Sequence, residues 1–203
     1  MKKCIRRLIF LLVAVSCFYT GGLLADKQTL RDTVIRLHIV GASDSYEDQA
    51  IKLQVRDAVL ASLQQALQDA TDAEQAKSYI QTHLPRIQDT ANKVLKEIGS
   101  HDTAVITFLE EAFPSKEYET FSLPAGIYDA LRITIGEGEG KNWWCVVYPS
   151  LCTQSTSNAL EDTTVGAGFS DGLTGAMSGT GPYRIRFYFL ELLGRVEKFF
   201  FGE

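Results

Sequence analysis

The sequence predicts an α+β fold: a mostly antiparallel sheet with two to three helices packed on one face, plus a C-terminal strand and helix. Two observations predict it. One alternating segment near residue 35 precedes apolar residues at helical spacing up to residue 98, and from residue 103 the pattern becomes short runs rich in aromatic and β-branched residues. A length of 203 residues, with 45% apolar and 22% charged residues, suits one globular domain.

The first 25 residues have the layout of an export signal. A basic start, Met1–Arg7, precedes the apolar run Leu8–Phe18, and the small residue Ala25 precedes Asp26. The apolar run is about 11 residues long, whereas a membrane-spanning helix needs roughly 20. Residues 1–25 are therefore predicted to be a signal peptide or a membrane anchor, with cleavage after Ala25 and retention as the two alternatives.

The main domain is predicted over residues 26–152 and opens with a polar lead-in, Asp26–Arg31, followed by a strand. Thr33–Val40 alternates, with three aliphatic residues on one face and with Arg36 and His38 on the other. This pattern predicts a half-buried strand. Ser45 and Asp48 then form a capping box, and a wide apolar stripe from Ile51 to Leu67 predicts a helix that lies across a sheet.

A second helical region starts at another capping box, Thr71-x-x-Glu74. Pro85 is disfavoured inside a helix but accepted in its first turn. We therefore predict one helix that ends near Thr82 and another that starts near Leu84, with Gly99 as its C-terminal cap.

Four strands are predicted after residue 100, separated by turns that contain Gly or Pro. Short connections between consecutive strands predict an antiparallel meander. The predicted strands are Thr103–Leu109, Lys116–Phe121, Ile127–Ile135 and Trp143–Tyr148.

The C-terminal fifty residues fall into two parts. Residues 153–182 are rich in Ser, Thr and Gly and are predicted to be a flexible loop. Residues 183–203 are predicted to form a strand, Tyr183–Phe189, and an amphipathic helix, Leu190–Phe201, which either completes the core or serves as a docking surface.

The charge balance limits the possible partners. The net charge is −5, and the first 25 residues carry four cations and no acid, so the remainder has a charge of −9. Such an acidic domain is a poor binder of nucleic acid or anionic lipid. We expect no nucleic-acid partner, and membrane contact only through the N-terminal segment.

Cys145 and Cys152 are the two cysteines outside the N-terminal segment, with six residues between them. An even number in an exported chain and an intervening turn predict a local disulfide. The alternatives are a metal pair or a redox pair, and both usually have closer spacing. The sequence predicts no metal site and no cofactor.

No known catalytic motif occurs around the three histidines, so no catalytic residue is predicted. The run Gly136-Glu137-Gly138-Glu139-Gly140 resembles a phosphate loop, but its two carboxylates would repel an anion, and they are too few for calcium. Two interpretations of this glycine-rich run remain. It is either a turn through which the chain re-enters the sheet, or a loop that contacts a partner.

Asn142-Trp143-Trp144 is the most informative cluster. Adjacent strand residues point to opposite faces, so one indole can enter the core while the other faces outward as an anchor for a protein partner. The alternative is that both indoles are buried.

The chain resembles the stage II sporulation protein R family over about residues 33–152. The resemblance rests on two blocks, of which the second contains the uncommon string Gly-x-Gly-x-Gly-x-Asn-Trp-Trp-Cys followed by Pro-x-Leu-Cys. The matching segments are Ile35–Val40, Ser43–Ser45, Asp48-Gln49, Lys52-Leu53, Val55–Val59, Leu123–Arg132 and Ile135–Cys152. Departures occur at Gly41-Ala42, where members usually have Ala-Asn, and at Pro149-Ser150, where they often have two prolines.

The resemblance implies a signalling protein that is not an enzyme. Members are made in the forespore of endospore-forming bacteria and exported into the space between the forespore and mother-cell membranes. There they activate the membrane-embedded sigma-E processing aspartic peptidase from its extracytoplasmic side, and the peptidase matures a pro-sigma factor. For this chain we expect partner contacts at Gly136–Gly140, Asn142, Trp143 and Trp144, with Arg36 and His38 as further candidates.

Two other functions are weighed. An exported cell-wall hydrolase would need an acid–base pair or a nucleophile in a pocket. A glycan-binding module would need Trp143 and Trp144 exposed side by side, which their adjacent strand positions oppose.

Overall fold

A computed structural model describes residues 7, 10, 21–151, 157–179, 188–192 and 195. Five helices and six strands are numbered in these ranges, and residues 188–192 and 195 are helical as well. Helix α1 includes residues 21–33, and the other elements are β1 Ile35–Val40, α2 Tyr46–Asp69, α3 Ala73–Glu97, β2 Ala104–Phe113, β3 Lys116–Glu117, β4 Ser122–Leu123, β5 Gly126–Ile135, β6 Asn142–Tyr148, α4 Ser157–Gly166 and α5 Asp171–Met177. Among the described helices, none has the length and apolarity needed to span a bilayer.

The main sheet has four strands in the order β2-β5-β1-β6, and β3 pairs with β4 in a separate hairpin. β1 runs parallel to β5 and antiparallel to β6, while β2 and β5 are antiparallel. The sheet is mostly antiparallel, so the α+β prediction is confirmed. The predicted meander is wrong, because β1 lies between β5 and β6. A short connection between two strands does not show that they are neighbours.

The central position of β1 also changes its burial. All six of its residues are buried, including Arg36 and His38. The predicted half-buried strand is therefore wrong. Polar and apolar residues alternate along β1 and lie on its two faces. Both faces are covered by other parts of the protein, so this alternation does not indicate a solvent-exposed face.

One face of the sheet packs against α2 and α3, as predicted for the helices. The shared core joins Leu37 and Leu131 of the sheet to Val59 of α2 and Ile80 of α3. Ser45 caps α2 by accepting a hydrogen bond from the Asp48 amide at 3.0 Å, which confirms the predicted helix start. The cap of α3 is Asp72 instead of Thr71, and Gly99 follows its end with a φ of 75°.

Helix α3 continues through Pro85, so the prediction of two helices is wrong. Buried residues occupy one face on both sides of the proline: Ala76 and Ile80 before it, and Ile87, Ala91 and Leu95 after it. Continuous packing along this face outweighs the hydrogen bond that the proline cannot donate.

The opposite face of the sheet is partly covered by a second core. Leu30 of α1, Phe113 of β2, Leu123 of the β3–β4 hairpin and Leu173 of α5 meet there. The predicted polar lead-in, Asp26–Arg31, is thus helical and buries Leu30. The proposed cleavage point after Ala25 lies within the same helix.

Helices α4 and α5 replace part of the predicted flexible loop, which is wrong for residues 157–179. Two of their threonine side chains form buried hydrogen bonds, one within α4 and one from α5 to α4. Thr164 Oγ1 donates to the Leu160 carbonyl at 2.9 Å, and Thr174 Oγ1 donates to Thr164 Oγ1 at 3.0 Å. Leu160, Phe169 and Leu173 are buried, so a segment of mostly polar composition still forms packed helices.

The C-terminal tail is described only in part. Residues 188–192 and 195 are helical, so the prediction of a strand over Tyr183–Phe189 is wrong at Tyr188 and Phe189. The remainder of that strand, residues 183–187, lies outside the described residues.

The outer edge of β2 is partly occupied by α3. The Asn92 side chain donates to the Ala104 carbonyl at 3.1 Å and accepts from the Ala104 amide at 2.8 Å. Gln88 Oε1 accepts from the Ile106 amide at 3.1 Å. Two side chains of a helix therefore satisfy backbone groups that a further strand would otherwise use.

Candidate functional site

The face of the sheet opposite α2 and α3 is covered over only part of its width. Thr107, Arg132, His38 and Trp144 are in register across β2, β5, β1 and β6. Val105 and Leu109 of β2 are 56% and 37% exposed. We call the uncovered part the open sheet face and define it by Val105, Thr107, Leu109, Arg132, Asn142 and Trp144, with Lys116 beside them.

His38 lies at the floor of the open sheet face and connects three strands. Its Nδ1 is 2.8 Å from Glu111 Oε1 on β2, and its Nε2 is 2.7 Å from Asn142 Oδ1 on β6. The imidazole also lies 5.7 Å from the Trp144 ring, measured between centroids. His38 therefore fixes the positions of two side chains that border the face, although it is itself buried.

Arg36 is fully buried two residues before His38 on the same face of β1. Its Nη2 donates to the Tyr118 hydroxyl at 2.9 Å, and its Nε donates to the Cys145 carbonyl at 3.3 Å. The guanidinium lies 4.3 Å from the centre of the Phe113 ring, and Nη1 has no hydrogen-bond partner. Arg36 thus supports the site from below and is not accessible at its surface.

The β3–β4 hairpin lies next to β6 through Lys116 and Tyr118. Lys116 Nζ is 5.2 Å from the centre of the Trp144 ring, and the Tyr118 hydroxyl donates to the Trp144 carbonyl at 3.4 Å. Burial raises the pKa of Tyr118, and the nearby Arg36 charge partly opposes this shift. A cavity of about 330 Å³ between hairpin and strand is lined by residues that include Lys116, Tyr118, Asn142 and Trp144.

The two tryptophans lie on opposite faces of β6, and each is half-buried. Trp143 packs beside the α2–α3 core, and the Arg56 guanidinium is 4.9 Å from its ring centre. Trp144 packs beside the second core and borders the open sheet face. Neither of the two predictions, one indole facing outward or both indoles buried, is fully confirmed. Each indole packs partly against a core and is partly exposed.

The glycine loop, Gly136–Gly140, connects β5 to β6 by passing over the end of β1. The Gly140 amide donates to the Gly41 carbonyl at 2.9 Å, and the Glu139 amide donates to the Ala42 carbonyl at 3.2 Å. A Cβ at Gly140 would lie 2.4 Å from the Ser43 carbonyl oxygen. Two backbones cross here, so the glycines allow close approach. The carboxylates of Glu137 and Glu139 are exposed.

Lys52 joins the two blocks of the sequence that carry the family resemblance. Its Nζ donates to the Lys141 carbonyl at 2.7 Å and to Gln49 Oε1 at 2.5 Å. Gln49 in turn donates to the Ser43 carbonyl at 2.7 Å. Burial lowers the pKa of Lys52, helped by the charges of Lys141 and Arg56 and opposed by Asp44. This network holds the glycine loop against the start of α2.

Sequence reasoning missed Glu111 and Arg132. Glu111 Oε1 accepts from His38 and also from Arg132 Nη1 at 3.1 Å, while Glu111 Oε2 is buried without a hydrogen-bond partner. The predicted strand ended at Leu109, two residues before Glu111. Arg132 lies at the end of a segment quoted for the resemblance, which was the one signal for it.

Both ring nitrogens of His38 lie within hydrogen-bond distance of side-chain oxygens of Glu111 and Asn142, and neither is paired with a hydroxyl or thiol nucleophile among the described residues. Among the described residues, no three His, Cys, Asp or Glu side chains are grouped to hold a metal ion. What the arrangement provides is a surface of mixed polar and apolar side chains above a hydrogen-bonded layer formed by His38, Glu111 and Asn142.

Cys145 is buried on β6, and Cys152 lies outside the described residues. Their disulfide therefore stays a prediction.

The family model for stage II sporulation protein R matches residues 31–158. The chain is 35% identical over 168 residues to the stage II sporulation protein R of Bacillus subtilis strain 168, covering 78% of this chain and 74% of the relative. No solved structure matches it.

Proposed function

Because this chain belongs to the stage II sporulation protein R family, with a role in sporulation, we propose that it is an exported signal that activates a membrane-embedded aspartic peptidase by contact. In this proposal it acts from the space between the forespore and mother-cell membranes, and the peptidase then cleaves a pro-sigma factor. The chain itself makes or breaks no bond. Activation requires that it bind the active state of the peptidase better than the inactive state.

The observation that carries this proposal is the open sheet face. It combines an indole, a guanidinium and exposed aliphatic side chains on a rigid sheet, and Trp and Arg are the residues that most often dominate binding energy at protein interfaces. Beneath this face, His38 forms hydrogen bonds with Glu111 and Asn142 that fix the positions of their side chains. A preordered surface loses little entropy when a partner binds.

The rival functions have less support. An exported hydrolase would need a free acid–base group, and both nitrogens of His38 are already engaged. A glycan-binding module would need the two indoles on one surface, and Trp143 and Trp144 lie on opposite faces of β6.

The adjacent tryptophans provide a matched test. In cells that co-express the exported chain, the peptidase and the pro-sigma factor, we expect Trp144→Ala to reduce pro-sigma cleavage about tenfold or more, since a central interface Trp contributes roughly 2 kcal/mol or more. Trp143 was also among the predicted contact residues, but it lies on the other face of the same strand, outside the open sheet face. Trp143→Ala is therefore the control and should keep nearly full activity.

Circular dichroism of both purified variants must show a folded domain. Full activity of a folded Trp144→Ala variant would remove the open sheet face from the proposal. Undiminished signalling by a chain lacking residues 1–25 would contradict export.

A further inference from the structure

Resting on the function proposed above, we propose that the open sheet face receives an acidic protein segment of the partner. Carboxylates of that segment pair with Arg132 and Lys116, and its apolar side chains cover Val105, Leu109 and Trp144. Neither cation was among the contact residues predicted from the sequence.

Arg132 is placed to bind a carboxylate. Its side chain is 39% exposed, and its ion pair is made through Nη1 with Glu111 Oε1 at 3.1 Å. Glu111 also binds His38, so one carboxylate is shared between two side chains. A guanidinium has five N–H donors in a planar fork that matches a carboxylate, so Arg132 retains donors for a second anion.

Lys116 supplies the second cation. No carboxylate lies within ion-pair distance of its ammonium group in the described part of the chain, and it lies 5.2 Å from the centre of the Trp144 ring. The cation–π contact keeps the ammonium next to the open face. Arg132 thus lies next to His38 in the cross-strand row, and Lys116 lies against Trp144 at the end of that row.

The surface charge of the face is opposite to that of the whole protein. Its defining residues include two cations and no carboxylate, and Glu111 below them is largely buried and paired. A carboxylate that borders it is that of Glu119, which lines the adjoining cavity with Lys116 and Trp144. The chain as a whole has a net charge of −5. Opposite potentials across an interface increase association rates and exclude wrong partners, so an acidic segment is the complementary ligand.

The exposed apolar side chains of the open sheet face imply that the partner segment also carries apolar residues. Val105 and Leu109 are exposed on β2, and the half-buried Trp144 lies across the sheet from them. A purely acidic ligand would leave these side chains in water. A segment with both carboxylates and large apolar residues would cover them and gain free energy from their burial.

Charge reversal in the co-expression assay tests the inference. We expect Lys116→Glu and Arg132→Glu each to slow pro-sigma cleavage at least about fivefold, because like charges across an interface are repulsive. Lys93→Glu is the matched control, since Lys93 is a 75% exposed lysine on α3, on the opposite side of the sheet. Arg132→Glu also brings a carboxylate towards Glu111, so Lys116→Glu is the variant that leaves the Glu111 pairs intact.

The outcomes separate this inference from the function on which it rests. Loss of cleavage with both reversals, with Lys93→Glu active, supports an acidic partner segment. Equal cleavage by all folded variants overturns it while the proposed function stands. Charge reversal in the glycine loop, by Glu137→Lys and Glu139→Lys, tests the opposite charge. If only these two variants lose pro-sigma cleavage, the partner segment is basic and the inference is overturned.

Two further results would also be decisive. If the unaltered chain fails to trigger cleavage, the proposed function falls and the inference with it. If the purified chain sediments with phosphatidylglycerol vesicles and Lys116→Glu abolishes this, the cations serve a lipid surface and the inference is overturned.

Discussion

At the scale of single residues, the open sheet face depends on side chains that lie beneath it. His38 connects β1 to β2 and β6, and Arg36 connects β1 to the β3–β4 hairpin. The sequence placed Arg36 and His38 on one face of a strand, and the structure agrees. The sequence did not reveal Glu111, because no local pattern shows which distant carboxylate a buried histidine will contact.

Gly140 is the residue at which the smallest change should have a large effect. Gly140→Ala places a methyl group 2.4 Å from the Ser43 carbonyl oxygen, so the crossing backbones must separate. We expect a loss of about 1–3 kcal/mol in the free energy of unfolding, measured by urea denaturation. Gly166→Ala is the control, because open space surrounds Gly166; equal stability of the two variants would contradict the crossing.

Arg36 should control the ionisation of Tyr118. Burial raises the pKa of Tyr118 and the Arg36 charge opposes this, so Arg36→Met should raise the pKa further. The raised pKa adds stability that is fully present below about pH 10 and is lost as the pH rises through the folded value. Phenolate absorbance against pH, with Tyr118→Phe as the reference, measures the shift; an unchanged or lower value would contradict the contact.

At the scale of secondary-structure elements, the sequence predicted where most strands and helices lie but not which strands are neighbours. Ser45 and Gly99 were recognised because capping uses residues that are close in sequence. The insertion of β1 between β5 and β6 depends on contacts more than ninety residues apart in the chain. The glycine loop was ambiguous for the same reason, since the segment it crosses is not adjacent in sequence.

Pro85 tests whether α3 is one helix in solution. If the helix is continuous, Pro85→Ala supplies an amide donor for the Gln81 carbonyl and removes the ring. It should then stabilise the protein by about 1–2 kcal/mol, after the greater entropy of the unfolded chain is subtracted. Arg86→Ala, at the next exposed position of α3, should change stability by less than about 0.5 kcal/mol. A neutral or destabilising Pro85→Ala, measured by denaturant unfolding, would indicate two helices.

At the scale of the whole molecule, both faces of the sheet contribute to a core, but only one is fully covered. Helix α1 contributes Leu23 and Leu30 to the second core, which residue composition alone did not indicate. Apolar positions in α1 are widely spaced among charged residues, so the segment reads as a polar linker. The open sheet face is the part that this second core leaves uncovered.

Leu30 tests the contribution of α1 to the folded domain. Leu30→Ala should lower the free energy of unfolding by about 2–5 kcal/mol, because it leaves a cavity in the second core. Leu24→Ala, at an exposed position of the same helix, is the control and should be nearly neutral. Similar melting temperatures for the two variants would show that α1 does not pack on the sheet in solution.

The hydrogen bonds from Asn92 and Gln88 to the border of β2 have a consequence for self-association. Strand exchange or fibril-like stacking between copies requires unsatisfied backbone amides, and those of Ala104 and Ile106 already have partners. Sheet extension by another copy could begin only from Phe108 onward, over half of the strand. Helix α3 therefore limits edge-to-edge aggregation along the first half of β2.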